Sequence, residues 1–255
     1  MSEELLYKVE NSVAYITINR EKQRNTISPT VIKLFHEYLD AAEKDANVRA
    51  LLITGAGDKC FSAGAQLAGS APVEGMDVFA KYAELLKRLA SFPKSTVARV
   101  KGYCLAGGMG FMLACDIVIA GEDSQFGTPE VNVGLWPMMI GALIFRNVPM
   151  KKTMEMILLG EKIAAKDALA MGLVTRVVPV DQLDSTVNSI LNSLILKSPI
   201  GIKIGKEAFH NVAAMPLDAA LEFLSGKLME VAATEDAKEG ITAFIEKRKP
   251  NFTGK

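Results

Sequence analysis

Apolar and polar positions alternate differently along the two halves of the chain, and the change of period divides it. Near the start, Val13-Ala14-Tyr15-Ile16-Thr17-Ile18 is β-branched and ends at a polar turn, as a strand does. Asn11-Ser12 before it predicts a hairpin with Leu6–Glu10. Thr26-Ile27-Ser28-Pro29 then opens a helix, with Ser28 as N-cap and Pro29 at the first helical position. Ile32, Phe35, Leu39 and Ala42 give that helix one apolar face. Val48–Thr54 reads as a strand, Gly55–Asp58 as its turn, and Val78–Ala90 as a helix. A strand over Thr96–Val100, a helix over Phe111–Cys115, a strand over Asp116–Ala120 and an extended piece at Ser124–Phe126 follow. The order predicts a repeated ββα unit rather than strict βαβ alternation.

After Pro149 the period is helical throughout. Lys151–Leu159, Ala164–Met171, Asp181–Leu196, Gly201–Ala214, Leu217–Thr234 and Thr234–Arg248 all read as helices. Gly160, Gly172, Pro179, Pro199 and Pro216 punctuate them. An α/β core followed by a helical C-terminal third is the expected layout. Many of these helices are apolar, which suits packing between subunits and packing within one chain equally well.

Composition narrows the function classes. The 255 residues are 49% hydrophobic, enough for a sizeable core. Lys plus Arg and Asp plus Glu are 29 each, so no net charge favours nucleic acid or an anionic membrane surface. Cys60, Cys104 and Cys115 have no metal-ligand spacing, and the chain has two histidines, so no metal is expected. Reduced thiols point to a cytoplasmic protein. The longest apolar run, Met112–Ala120, is interrupted by Asp116, and no membrane span is expected.

Two small-residue loops carry the candidate chemistry. Phe61-Ser62-Ala63-Gly64-Ala65 and Leu105-Ala106-Gly107-Gly108 each follow an apolar stretch. Such loops leave backbone N–H groups free, and two that converge can donate to one developing oxyanion. Tight strand-to-helix turns account for the same residues, and on the residues alone that is the simpler reading. Glu130, after Pro129, is either a proton-transfer carboxylate in apolar surroundings or an ordinary first-turn glutamate. His36 and His210 read as surface residues, and Lys247-Arg248-Lys249 as a solvated helix end that could also hold phosphates.

Taken in order, these segments resemble the crotonase (enoyl-CoA hydratase/isomerase) superfamily. The likeness runs from about Tyr7 to Phe252 through Thr17–Arg20, Asn25–Ser28, Phe61–Ala65, Gly102–Gly108, Ala114–Asp116, Phe126–Glu130, Ala168–Val178 and Glu239–Arg248. It implies an α/β spiral of repeated ββα units over residues 1–199 and a helical trimerisation region over 200–255. It further implies a homotrimer or a dimer of trimers. The implied substrate is an acyl-CoA thioester, with coenzyme A part of the substrate and no separate cofactor. The N–H groups of Ala65 and Gly107 are implied as oxyanion donors and Glu130 as acid/base. Arg20, Lys22, Arg24 and Ala63 are implied near the adenosine end, with Lys247 and Arg248 as weaker phosphate candidates.

Three departures matter. Family hydratases carry a second glutamate where this chain has Gly110. One carboxylate fits proton relocation, as in an isomerase, or a decarboxylase, better than two-glutamate hydration. Binding of CoA esters without turnover is the non-enzymatic alternative. Glu74 or Asp77 could stand in for the missing acid, though surface charges account for both. Leu135–Ile140 replaces a glycine-rich stretch with bulky side chains, and Gln66 stands where an aspartate is usual, in a structural role.

Overall fold

A computed structural model describes residues 3–66 and 77–255. The strands are β1 (Leu5–Glu10), β2 (Val13–Ile18), β3 (Ala50–Gly55), β4 (Cys60–Ser62), β5 (Ser95–Val100), β6 (Tyr103–Leu105), β7 (Ile117–Gly121), β8 (Gln125–Gly127), β9 (Ile163–Ala164) and β10 (Arg176–Val178). The helices are α1 (Pro29–Lys44), α2 (Val78–Ala90), α3 (Gly107–Leu113), α4 (Met138–Asn147), α5 (Met150–Leu159), α6 (Ala165–Met171), α7 (Leu183–Leu194), α8 (Pro199–Val212), α9 (Leu217–Ala232) and α10 (Glu235–Ile245).

Two sheets share the strands. One runs β1-β2-β3-β5-β7-β10 and the other β4-β6-β8-β9. Each of the pairs β3/β4, β5/β6 and β7/β8 therefore gives its first strand to the larger sheet and its second to the smaller. This is the expected ββα repeat, and each turn delivers a loop at the end of a β4, β6 or β8 strand. Within the larger sheet, β2, β3, β5, β7 and β10 pair in parallel and only β1 is antiparallel.

Local chemistry explains the elements. Asn11 and Ser12 take φ of 48° and 63°, which matches the twist of a two-residue hairpin. The Ser28 hydroxyl accepts from Val31 N at 3.1 Å and caps α1. Asp77 caps α2 in the same way, accepting from Ala80 N at 2.9 Å. Helix α2 buries Tyr82, Leu85, Leu86 and Leu89. Each such leucine contributes about 1.5–3 kcal/mol.

Helix α4, which the sequence pattern leaves unassigned, begins behind Pro137 without a side-chain cap. Helix α8 begins at Pro199, and the three C-terminal helices α8, α9 and α10 pack on one another. Among the described residues no helix is long and apolar enough to cross a membrane.

Candidate active site

The two small-residue loops meet. Gly64 holds φ of +88°, and a Cβ there would stand 2.6 Å from Ala106 Cβ and 2.9 Å from Gly107 N. Only glycine permits so close an approach in that conformation. Ile27 N donates to Gly64 O and Gln66 N donates to Ile27 O, at 2.8 and 3.1 Å. This parallel bridge leaves the intervening Ala65 N–H directed away from Ile27. Ala65 N lies 3.6 Å from where a Cβ on Gly107 would stand.

The second loop is held by an unusual backbone. Ala106 takes φ 50° and ψ −134° at the start of α3, a costly conformation for a residue with a Cβ. Its N–H donates to Gly127 O at 2.9 Å, which ties the loop to the end of β8. Two residues further on, Pro129–Val133 forms a single 3-10 turn that carries Glu130. One hydrogen bond therefore links the Gly107 loop to the segment bearing the carboxylate.

A cavity of about 690 Å³ joins these pieces. Ala63, Ala65, Gly107 and Glu130 all line it, together with apolar side chains from α1, α2 and α4. Glu130 is half-buried, and its Oε2 is buried with no hydrogen-bond partner among the described residues. Burial pushes its carboxyl above the ordinary value, opposed by its own backbone N–H. A desolvated carboxylate with an unused oxygen is equipped to take up a proton.

Tyr82 completes the site, and the sequence pattern gave no sign of it. Its position on the apolar face of α2 reads as core, yet Tyr82 lines the cavity and its hydroxyl donates to Gly107 O. Burial drives the phenol far above its ordinary value, so it stays protonated. The ring packs edge-on against Phe111 at 5.7 Å. A Cβ on Gly110 would overlap the Tyr82 hydroxyl and come within 2.9 Å of Ile140 Cγ2 and 3.1 Å of Leu86 Cδ1. The place where a side chain at 110 would enter is thus already filled.

The charged candidates sit elsewhere. Arg20 braces the first loop: its guanidinium donates to Thr26 O at 2.7 Å and Gln66 Oε1 at 2.6 Å, and Glu4 lies 3.3 Å away. Gln66 therefore serves as a strut beside Ala65. Lys22 and Arg24 are exposed on the preceding turn. Arg248 grips Glu239 through two bonds of 2.6 and 2.8 Å, and this pairing holds the Glu239 carboxyl down at about 2. Lys247 is exposed beside it. None of these five cations lines the cavity. Asp77 is engaged as the α2 cap, and Glu74 lies outside the described residues. Among the described residues no cluster of His, Cys, Asp or Glu could hold a metal ion.

Residues 8–255 match the family model described as enoyl-CoA hydratase/isomerase. The chain belongs to the enoyl-CoA hydratase/isomerase family. A short-chain-enoyl-CoA hydratase of Clostridium acetobutylicum is 34% identical over 96% of this chain and 95% of its own length. The enoyl-CoA hydratase domain-containing protein 3 of Xenopus laevis is 36% identical over 96% of this chain and 84% of its own. The crystal structure of an enoyl-CoA hydratase from Bacillus anthracis superposes with a TM-score of 0.93 at 30% identity, covering 99% of this chain and all of that one. The protein is thus an enzyme of the enoyl-CoA hydratase/isomerase family with the crotonase fold.

Proposed function

We propose that this enzyme moves the double bond of an enoyl-CoA thioester, with Glu130 as its single acid/base. The carrying observation is position 110: it holds a glycine, and the Cβ of any side chain there would meet Tyr82, Ile140 and Leu86. Glu130 is the one carboxylate among the described residues lining the cavity.

The chemistry runs from that arrangement. Glu130 removes a proton from carbon 2 of a 3-enoyl thioester, and the C–H electrons pass into a dienolate with its charge on the thioester oxygen. The N–H groups of Ala65 and Gly107 hold that oxyanion, each contributing about 3 kcal/mol to the transition state. Protonated Glu130 then returns the proton to carbon 4, which leaves the double bond between carbons 2 and 3. A raised carboxyl pKa suits a group that must both accept and release a proton. In this reading Lys22, Arg24 and Ala63 meet the nucleotide end of coenzyme A, with Lys247 as a further cation for its phosphates.

The test is to supply 2-enoyl-CoA and 3-enoyl-CoA to the wild type and to Glu130→Gln. Double-bond migration in the wild type, lost in the variant, supports the proposal. Water addition to 2-enoyl-CoA as the main activity overturns it.

The same reading extends to assembly. Helix α9 buries none of its side chains within the chain, and Leu217, Leu221, Leu228 and Met229 stand exposed along it. We take this face as the trimer interface; light scattering on the purified protein should return three chains or a multiple of three. The free thiols fit a reducing compartment such as the cytoplasm.

A further inference from the structure

We infer that the acyl group this enzyme accepts is neutral, apolar and of medium length, eight carbons or more, rather than short or ω-charged. The inference rests on the proposal that the thioester carbonyl sits at Ala65 and Gly107.

The cavity wall is graded. Ile27, Ile32, Tyr82 and Ile140 form an inner ring, only 2–6% exposed. Phe79, Val133, Leu135, Trp136 and Met138 form an outer ring, 41–72% exposed. Large apolar side chains seldom gather in the open around a cavity unless something apolar covers them. The outer ring comes from two places, the start of α2 and the segment leading into α4, so a chain leaving the inner ring passes between them. The volume points the same way. At about 30 Å³ per water-sized group, 690 Å³ holds on the order of 20 non-hydrogen atoms. Shared with the thioester and the part of coenzyme A that passes Ala63, that space still exceeds a butyryl group.

The polar inventory excludes a charged tail. Apart from the Tyr82 hydroxyl, already bonded to Gly107 O, and the Trp136 indole N–H, Glu130 and Asn132 are the polar side chains of the described lining. Among the described residues no Lys, Arg or His lines the cavity. A terminal carboxylate reaching the outer ring would meet large apolar side chains and, among the described lining, no counter-ion.

The test uses saturated acyl thioesters, whose binding is read without turnover. Dissociation constants are measured for coenzyme A, butyryl-CoA, octanoyl-CoA and the eight-carbon thioester ending in a carboxylate. Each buried methylene strengthens binding by a factor of about two to four, so octanoyl-CoA should bind at least tenfold more tightly than butyryl-CoA. The carboxylate-ended chain should bind at least about 30-fold more weakly than octanoyl-CoA. Met138→Asp, a change at an exposed position, should lower the octanoyl-to-butyryl ratio at least about fivefold. An octanoyl gain under tenfold, a carboxylate-ended chain that binds as well, or an unchanged ratio in the variant overturns the inference. Acyl thioesters that bind no better than coenzyme A would overturn the placement of the thioester as well. A gain from coenzyme A to butyryl-CoA that then stops would overturn the chain-length inference alone.

Discussion

Replacing Gly110 with alanine places one methyl group against the Tyr82 hydroxyl, Ile140 and Leu86. In an ordinary helix the change stabilises by about 1 kcal/mol, because alanine is the better helix former. Here the new Cβ would overlap the Tyr82 hydroxyl and press on Ile140 and Leu86 at 2.9 and 3.1 Å. Overpacking of a buried site costs about 1–3 kcal/mol, so Gly110→Ala should be neutral to about 2 kcal/mol destabilising. Tyr82→Phe removes the oxygen that makes the hardest contact. In that background the propensity gain should reappear, and Gly110→Ala should be neutral or stabilising. The coupling between the two changes should reach about 1 kcal/mol or more. Urea unfolding midpoints of the four proteins at one protein concentration measure it, since subunit association would otherwise shift apparent stability. For a chain of this size the coupling corresponds to about 2–4 °C in melting temperature. An equal effect of Gly110→Ala in both backgrounds would refute the claim that Tyr82 fills the position.

Other substitutions separate chemistry from scaffold. Glu130→Gln should lower turnover by about a hundredfold or more, while raising stability at neutral pH. A carboxyl whose folded pKa is raised has its full stability below its unfolded value and loses it as pH rises through the folded one. The stability difference between variant and wild type should therefore vanish below the ordinary carboxylate range, which thermal melts at several pH values would show. Asp77→Ala should cost about 1 kcal/mol through loss of the α2 cap and leave turnover within twofold; a hundredfold loss of rate would make it a catalytic acid. Ala106→Gly should stabilise by about 1 kcal/mol by relieving the positive φ, yet lower kcat more than it changes KM as the Gly107 donor loosens; a kcat at or above wild type would contradict that role.

Much of this arrangement could be read from residue order, for identifiable reasons. The hairpin at Asn11-Ser12 and the helix behind Ser28-Pro29 are set by local chemistry, and α2 carries a strong apolar period, so each lies close to its expected bounds. The three-residue strands β4 and β6 are too short to show alternation, and they exist because the smaller sheet assembles from distant turns. Helix α4 has apolar residues on most sides and no capping side chain, which hides its start. The convergence of Ala65, Gly107 and Glu130 on one cavity depends on Gly64 and on the bond from Ala106 to Gly127, neither of which has a period to detect. Tyr82 escaped notice because its ring obeys the helical pattern while its hydroxyl does not. The Arg20 guanidinium, expected near a nucleotide, also fastens Gln66 and Thr26, a bracing role that residue order does not show, because a half-buried cation takes the nearest oxygens.

The central claim is that one carboxylate moves a proton and no water adds. Incubation of the enzyme with 3-enoyl-CoA in oxygen-18-labelled water, followed by mass spectrometry of the acyl products, tests it most directly. The wild type should form 2-enoyl-CoA with no labelled oxygen in its acyl chain, and Glu130→Gln should form none. Labelled 3-hydroxyacyl-CoA as the main wild-type product would contradict it.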